Sequence, residues 1–313
     1  MKALKAILYI LFTTLILTGC KKDSDKQEII TAKASDFGKY HPCGIAVSTV
    51  GNKAVAVSTY EGDTQDGRIF IWESLEAFQA DEVAKYAYPV KDPEAVAFDG
   101  STLFVTCTYD SKIFYTGDMS KAPTNFFYVD YNGNNNPRGM AVRNGQLLVM
   151  CENLYPNPKN SKVLRVTNAT FDSRTFKEVA GSAQPAANGN GLGLAIVNNM
   201  MYTTDLNSNS VSKYLLNADN DQATYSTRLG NAGATMDVTS DGGNYVYFTS
   251  ASDACYLVRW NTANNETKNI KLGALDGIYA AWGVLYLNGK LYISDAPRHQ
   301  VRIIDAASAN WQN

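Results

Sequence analysis

The sequence predicts an all-β fold in which one unit of four antiparallel strands recurs six times. Asn-Gly joins two apolar segments in residues 137–152 and again in residues 280–296, and Asn-Gly between alternating apolar residues is a strong signal for a β-hairpin. The arrangement recurs along the chain, with a third apolar segment after each pair and a weaker fourth segment after five of them. Units of this kind, about 40 to 50 residues long, are typical of the blades of a β-propeller.

A small residue near the start of each first strand sets the register of the six units. These anchor residues are Gly44, Ala95, Gly139, Gly193, Thr235 and Gly283. The end of the second strand follows twelve residues after the anchor in four units, and fifteen residues after Gly44 and Thr235. Because the innermost strands of a propeller crowd around one axis, small residues there let the backbones approach closely.

The last unit is too short for four strands, because only 30 residues follow Gly283. Residues 27–33, with the sequence QEIITAK, form an apolar segment that belongs to no other unit. We expect this segment to supply the fourth strand of the last blade and to close the ring, since an open sheet edge favours aggregation. Residues 73–86 are predicted to include one or two helical turns.

The N-terminal residues predict export and a lipid anchor. Lys2 and Lys5 flank the start of a short apolar stretch, as in a secretory signal peptide, and the stretch is shorter than the roughly 20 residues that span a bilayer. Residues 17–20, Leu-Thr-Gly-Cys, look like a bacterial lipobox, in which the thiol of Cys20 takes a diacylglycerol. We therefore expect a lipoprotein signal peptide over residues 1–19, a solvated tether over residues 20–26, and one propeller domain over residues 27–313.

Charge and cysteine content limit the classes of partner. The chain has 28 Lys and Arg against 30 Asp and Glu, a mild balance that does not favour nucleic-acid binding. Disulfides are allowed outside the cytoplasm, but the cysteine spacings match no compact disulfide framework and no zinc pattern. We expect buried free thiols, with disulfides left open, at Cys43, Cys107, Cys151 and Cys255.

Residues 200–215, MMYTTDLNSNSVSKYL, resemble the core of an NHL repeat. Over residues 41–306 the chain is similar to the six-bladed propellers of the NHL-repeat and gluconolactonase superfamily. The charged stretch after Cys20 resembles the export tag of surface lipoproteins in Bacteroidetes-type bacteria. Together these resemblances imply a monomeric propeller held at the outer membrane by its lipid alone, in the periplasm or at the cell surface. They leave function open, since one fold hosts many functions.

Candidate binding residues follow from the register. The loop before each first strand and the loop between the second and third strands share one face of a propeller, which is its usual ligand face. The residues placed at the mouth of the axis on that face are His41, Asp92, Glu94, Asn136, Arg138, Asn190, Tyr109, Tyr155, Trp282 and His299. Their aromatic and hydrogen-bonding groups suit sugar rings or a partner protein.

Several of these residues also have a structural interpretation. Glu94 and Arg138 hold equivalent positions in adjacent blades, so they can form a mutual salt bridge or contact a ligand. Asn136 and Asn190 precede Pro or Gly and suit turns. Trp282 can fill the core beside the axis.

The resemblance implies one enzymatic function, that of a metal-dependent, lactonase-like hydrolase. In that family Glu, Asn and Asp side chains hold a divalent cation such as calcium at the mouth, where it would polarise a lactone carbonyl. Glu94 and Asn190 match two of these ligands, whereas residues 232–234 of the fifth unit are Ala-Gly-Ala, and Asp237 lies two residues past the anchor. No catalytic residue is therefore assigned.

The sequence favours a binding protein over an enzyme. The lipoprotein address, the aromatic and Asn-rich rim and the incomplete catalytic set predict a cell-envelope module that captures a glycan, a cofactor or another nutrient. A third interpretation is a scaffold that binds an outer-membrane protein through the same face. A deep polar mouth favours the small-molecule binder, and a flat apolar patch favours the scaffold.

Overall fold

Six antiparallel sheets surround one axis in the computed structural model, which describes residues 32–61, 66–130, 136–152, 161–179, 190–251, 255–273 and 281–312. The first strands of consecutive sheets contact one another, and the first strand of the sixth sheet contacts that of the first sheet. The sheets therefore form a closed ring, and the predicted six-bladed all-β propeller is confirmed.

The first three blades have four strands each, paired in chain order. Blade 1 contains β1 (His41–Val47), β2 (Val55–Tyr60), β3 (Asp66–Trp72) and β4 (Tyr86–Lys91). Blade 2 contains β5 (Pro93–Asp99), β6 (Thr102–Cys107), β7 (Lys112–Thr116) and β8 (Asn125–Tyr128). Blade 3 contains β9 (Asn136–Arg143), β10 (Gln146–Glu152), β11 (Lys162–Thr167) and β12 (Thr175–Glu178).

Blades 4 and 5 repeat this plan, and blade 6 has three strands within the described residues. Blade 4 contains β13 (Gly191–Val197), β14 (Met200–Asp205), β15 (Ser210–Leu216) and β16 (Ala223–Leu229). Blade 5 contains β17 (Thr235–Ser240), β18 (Tyr245–Ser250), β19 (Tyr256–Asn261) and β20 (Thr267–Lys271). Blade 6 contains β21 (Ala281–Leu287), β22 (Lys290–Asp295) and β23 (Gln300–Asp305).

Helix is confined to two short segments of the described chain. The helix α1 (Leu75–Gln79) begins after Ser74, whose hydroxyl accepts a hydrogen bond from the backbone N–H of Ala77, as an N-cap residue does. A 3₁₀ turn (Ala296–Arg298) follows β22. The helical turns predicted within residues 73–86 are therefore confirmed.

The hydrophobic core lies between the faces of adjacent sheets. Ile69 of blade 1 packs with Leu103 and Val105 of blade 2, and Leu148 of blade 3 packs with Met201 of blade 4. All five side chains are essentially inaccessible to solvent. Burial of each contributes about 1.5 to 3 kcal/mol, so these contacts between adjacent blades stabilise the ring.

Each first strand carries a β-bulge, and in five of the six blades the bulge includes the predicted anchor residue. A Cβ added at Gly139 would lie 2.6 Å from the carbonyl oxygen of Leu192 in the next blade, and one added at Gly283 would lie 2.1 Å from that of Cys43. Side chains are excluded at these two positions because the backbones of adjacent blades touch. The reason predicted for small anchor residues therefore holds there.

The anchor predicted for blade 5 is wrong by two residues. Thr235 pairs with Ser250 as Pro42 pairs with Thr59, and the bulge comes after that pair. Asp237 therefore occupies the position equivalent to Gly44. Its Cα lies 2.7 Å from the place that a Cβ of Gly193 would take, so the backbones are as close here as elsewhere in the ring.

The predicted closing strand, residues 27–33, lies outside the described residues except for Ala32 and Lys33. Residues 1–26, which hold the predicted signal peptide, the lipidated Cys20 and the tether, lie outside them as well. Lys33 forms an isolated bridge with Asp36. The closing strand therefore stays a prediction.

The segment after Lys33 connects the last blade to the first. The backbone N–H of Val301 donates to the carbonyl oxygen of Ala34 at 2.7 Å, and the N–H of Phe37 donates to that of His299 at 2.7 Å. The buried Phe37 ring packs edge-on against Phe70 of blade 1, with the ring centroids 5.6 Å apart. Residues 34–37 thus hold blades 6 and 1 together.

Candidate functional site at the axial channel

A cavity of about 330 Å³ follows the propeller axis, and the first strands of all six blades line it. Most of its wall is backbone and aliphatic side chain, such as Ile45 and Val96. Among the described residues that line it, three carry charge: Glu94, Arg138 and Asp237. Charges on an apolar wall interact more strongly than charges in water, so these three residues dominate the electrostatics of the channel.

The residue before each bulge stands at the mouth of this channel. The six residues are Cys43, Glu94, Arg138, Leu192, Met236 and Trp282. Counted from the predicted anchor Thr235, the residue at this position of blade 5 would be Ala234. It is Met236 instead, because the register of blade 5 is shifted by two residues. The mouth therefore has an ionic side on blades 2 and 3 and an apolar side on blades 4 to 6.

Arg138 binds two carboxylates from different strands. Its Nε and one terminal nitrogen lie 2.9 Å from Oε2 of Glu152, and its other terminal nitrogen donates to Oε1 of Glu94 across the blade boundary. The side chains of Glu94, Arg138 and Glu152 are only 20%, 14% and 5% exposed. The salt bridge anticipated between Glu94 and Arg138 is present, and Glu152 is a partner that the sequence reasoning missed.

Burial raises the pKa of Glu94 to about 7, against the opposing effect of the Arg138 guanidinium. Asp92 and Glu152 add negative charge nearby and raise it further. Burial also raises the pKa of Asp92, although its Oδ2 accepts a hydrogen bond from the backbone N–H of Tyr109 at 3.1 Å. The Tyr109 side chain is exposed on the rim. The ionic side of the mouth thus carries more carboxylates than cations.

Asp237 places a carboxylate deeper in the channel. Its Oδ2 accepts a hydrogen bond from the backbone N–H of Val284 in blade 6 at 2.9 Å. Burial raises the pKa of Asp237 to about 6, and the hydrogen bonds from Val284 and Val238 only partly offset this. Glu94 and Asp237 therefore both favour the neutral form more than a carboxyl group in water does.

Four aromatic rings form a second group at the mouth, on blades 6 and 1. The His41 ring lies 4.1 Å from the His299 ring and 4.9 Å from the Tyr60 ring, centroid to centroid. Tyr60 in turn meets Trp282 edge-on at 5.9 Å. The candidate binding residues His41 and His299 are thus brought together, and the rings extend to Trp282 on the channel wall.

Backbone carbonyls fix the tautomers of both histidines. Nδ1 of His41 lies 2.9 Å from the carbonyl oxygen of Ala296, and Nδ1 of His299 lies 3.1 Å from that of Tyr40. A carbonyl oxygen only accepts, so Nδ1 carries the proton in each ring. Burial lowers the pKa of His41, and the neighbouring His299 lowers it further.

The remaining candidates contribute less to the mouth. Asn136 is buried and pairs with Glu152 in the β9–β10 ladder. The backbone N–H of Asn190 donates to Oδ1 of Asp205 at 3.2 Å, as in the turn interpretation, and no partner within the described chain reaches its buried Oδ1. Tyr155 lies outside the described residues.

The residues at the mouth do not fit the calcium ion of lactonase-type propellers. One oxygen of the Glu94 carboxylate, Oε1, is already bound by the Arg138 guanidinium, so Glu94 has fewer free oxygens for a calcium ion. Asp237 is held by Val284 one layer below the mouth. Within the described part of the chain, no group of three or more His, Cys, Asp or Glu side chains could hold a metal ion.

A row of hydroxyl groups, which was not predicted from the sequence, fixes the bulges. The Thr249 hydroxyl accepts from the backbone N–H of Asp237 at 3.2 Å and donates to the carbonyl oxygen of Trp282 in the next blade at 2.8 Å. Ser58 of blade 1 and Thr204 of blade 4 make the same pair of contacts. The sequence feature that marks this row is a Ser or Thr one residue before the predicted end of the second strand, which five of the six units have.

The four cysteines of the propeller are buried, and no disulfide joins them within the described residues. Burial raises the pKa of Cys43, Cys107, Cys151 and Cys255.

No helix among the described residues is both long and apolar enough to cross a membrane.

Comparison with known proteins identifies the fold. No family model and no curated protein matches the chain, but solved structures do. Regucalcin from Agrobacterium tumefaciens, a calcium-binding protein, gives a TM-score of 0.59 at 10% identity over 87% of this chain and 92% of that chain. A putative 6-phosphogluconolactonase from Bacteroides uniformis gives 0.58 at 9% identity, covering 82% and 79%.

A protein of unknown function from Bacteroides caccae is also similar, with a TM-score of 0.53 at 14% identity over 78% of this chain and 89% of that chain. At such identities the likeness concerns the propeller fold and carries no activity with it.

Proposed function

We propose that this chain is a cell-envelope protein that binds a small molecule, such as a glycan, a cofactor or another nutrient, at the mouth of its axial channel. The observation that carries the proposal is the gathering of unlike groups around one cavity. The Glu94–Arg138 pair stands on one side and the ring group ending in Trp282 on the other. Concave sites with apolar walls and a few convergent polar groups are typical of ligand pockets.

Energetics support a binding role for the ionic side. Burying Glu94, Arg138 and Glu152 costs desolvation energy that their mutual attraction barely offsets, so an apolar trio would stabilise the fold as well or better. A charged group that adds little stability, at the entrance of a cavity, is better explained by contact with a ligand.

The test is a thermal-shift screen of the full-length protein against sugars, cofactors and metal ions, because a ligand of the folded state raises the melting temperature. The variant Leu192→Trp would fill the mouth, whereas Leu215→Trp adds the same ring at a site that is 42% exposed on β15. We expect any hit to lose its shift in Leu192→Trp and keep it in Leu215→Trp. A hit that survives in both variants binds elsewhere and contradicts the proposal.

The proposed location in the cell envelope rests on the sequence around Cys20. In bacterial cells fed a labelled fatty acid, the full chain should take up the label and Cys20→Ala should not. Equal labelling of the two chains, or none in either, would remove the lipid anchor from the proposal and leave the binding site untouched.

A lactonase-like hydrolase is the second candidate, supported by the Glu94 carboxylate at the mouth of the channel. A putative 6-phosphogluconolactonase has a similar fold. Gluconolactone and 6-phosphogluconolactone are the substrates to test, with acid release as the readout, in the presence and absence of calcium. Turnover that is lost in Glu94→Gln would favour this candidate over simple binding.

A further inference from the structure

The walls of the axial channel carry uncompensated negative charge. Glu94 and Asp237 both line the cavity, and Arg138 is the cation among the described residues that line it. Arg138 is shared, because two of its nitrogens contact the carboxylate of Glu152, which is not among the residues that line the cavity. Three carboxylates therefore stand against one guanidinium. An anionic ligand would add to this excess, whereas a cationic ligand would relieve it.

The two carboxylates occupy opposite walls at different depths. Glu94 belongs to blade 2 and Asp237 to blade 5, which are three blades apart in a ring of six. Glu94 precedes the bulge of its strand and Asp237 stands at the bulge, so Asp237 lies one residue deeper along the axis. Between them the wall is apolar, with Met140 and Leu194 among its residues.

Asp237 is an exception among the anchors. The other five positions hold Gly or Ala, and only this one brings a charged side chain to the channel wall. One carboxylate oxygen is held by Val284. The hydrogen bond alone does not require a charge, because an Asn oxygen could accept it equally well.

A single metal ion does not suit this arrangement, because calcium needs six to eight oxygen ligands about 2.4 Å away. An ammonium group needs only one carboxylate and a few acceptors. A linear molecule with an ammonium group at each end offers one cation to each of the two walls, and its methylene chain suits the apolar residues that line the channel.

We propose that the axial channel binds a short aliphatic diamine, with one ammonium group at Glu94 and the other at Asp237. The proposal rests on the proposed function and names the ligand class for the same site. Arg138 then has a positioning role: it fixes the Glu94 carboxylate at the mouth and excludes anions from it.

The test uses three probes with the same four-carbon chain: 1,4-diaminobutane, its neutral counterpart 1,4-butanediol and its anionic counterpart succinate. Titration calorimetry on the full-length protein at about pH 8 should show binding of the diamine, binding of the diol that is about tenfold weaker or more, and no binding of succinate. Loss of one charge-assisted hydrogen bond typically costs an affinity factor of about ten to a hundred.

Variants separate the proposed contacts from general charge effects. Glu94→Gln and Asp237→Asn should each weaken diamine binding about tenfold or more, and Asp237→Asn keeps an acceptor for Val284. Glu266→Gln removes a carboxylate at the start of the outer strand of blade 5 and should change nothing. Affinity in the unmodified chain should fall from about pH 8 to about pH 5, because both carboxylates become protonated over that range.

The outcomes distinguish this inference from the proposed function. Equal affinity for the diol and the diamine, or unchanged affinity in Glu94→Gln and Asp237→Asn, overturns the diamine proposal. If the diol, succinate or calcium binds but the diamine does not, and that binding is lost in Leu192→Trp, the diamine proposal is also overturned. The channel mouth is then still supported as a ligand site. If no probe and no screened compound binds at the mouth, both proposals fail.

Discussion

Arg138 in blade 3 donates a hydrogen bond across the blade boundary to the carboxylate of Glu94 in blade 2. The same guanidinium holds Glu152 from its own blade, so one cation joins two sheets and neutralises two buried acids in part. This arrangement makes the ionic side of the mouth a single unit. Removing any one member therefore changes the electrostatic environment of the other two.

Arg138→Ala should destabilise the protein, because it leaves Glu94 and Glu152 without their cation. We expect a loss of about 3 kcal/mol in the free energy of unfolding, the usual cost of breaking a buried pair from one side. Chemical denaturation measures it. Lys121→Ala, which breaks an exposed pair with Asp118, is the matched control and should cost less than about 1 kcal/mol.

Adding Glu94→Gln and Glu152→Gln to Arg138→Ala should recover much of the lost stability, since the buried charges are then gone. The double variant Arg138→Ala with Glu94→Ala still buries the Glu152 carboxylate, so it should remain destabilised. If Arg138→Ala alone unfolds no more easily than Lys121→Ala, the three residues are not a buried unit.

The pH dependence of stability should reveal the raised pKa of Glu94. Its carboxyl group ionises near 4.5 in the unfolded chain and near 7 in the folded protein, so the folded state holds the extra proton between these values. The contribution of Glu94 to the unfolding free energy therefore falls as the pH rises from about 4.5 to about 7. Glu94→Gln should remove this part of the slope, which denaturation across the pH range would measure. An unchanged slope would assign Glu94 an ordinary pKa.

Titration of His41 should change the unfolding free energy with pH in the opposite direction to that of Glu94. Burial lowers its pKa below the ordinary 6.5, so the unfolded chain binds the proton more tightly, and acidification below about pH 6.5 costs stability. His41→Asn keeps a donor near the position of Nδ1 but cannot be protonated there. The variant should lose less stability than the unmodified chain between about pH 7 and pH 5. NMR titration of His41 would check the direction of the shift independently.

The Thr249 hydroxyl should contribute to joining blades 5 and 6. Thr249→Val leaves the N–H of Asp237 and the carbonyl oxygen of Trp282 without their shared partner, which should cost about 1 to 3 kcal/mol in urea unfolding. Thr224→Val, at an exposed position of β16, should stay within about 0.5 kcal/mol. Equal effects would show that the hydroxyl row does not hold the blades.

The sequence was sufficient for the ring and for most of the mouth, because hairpins and small anchors reflect local backbone constraints. Glu94 and Arg138 were placed correctly because their blades share a hairpin length. Blade 5 was misplaced because its hairpin was matched to the longer one of blade 1, whereas the bulge is set by pairing of Thr235 with Ser250. The channel position of Asp237 follows from that pairing, which residue counting does not reveal.

Glu152 could not be recognised as the second partner of Arg138 for a different reason. It ends β10 opposite Asn136, and nothing in its local sequence distinguishes it from a solvent-exposed acid in a loop. Only the close approach of β5 and β9 brings the three side chains together. Residues 27–31 and Tyr155, in turn, fall outside the described residues, so their assignments remain predictions.

Binding at the channel mouth is tested most directly by a crystal structure of the full-length protein grown with the strongest hit of the ligand screen. We expect ligand density on the propeller axis, within hydrogen-bonding distance of Glu94 and in contact with Trp282 or Leu192. Density on a blade edge or between blades, with the channel mouth holding only water, would contradict it.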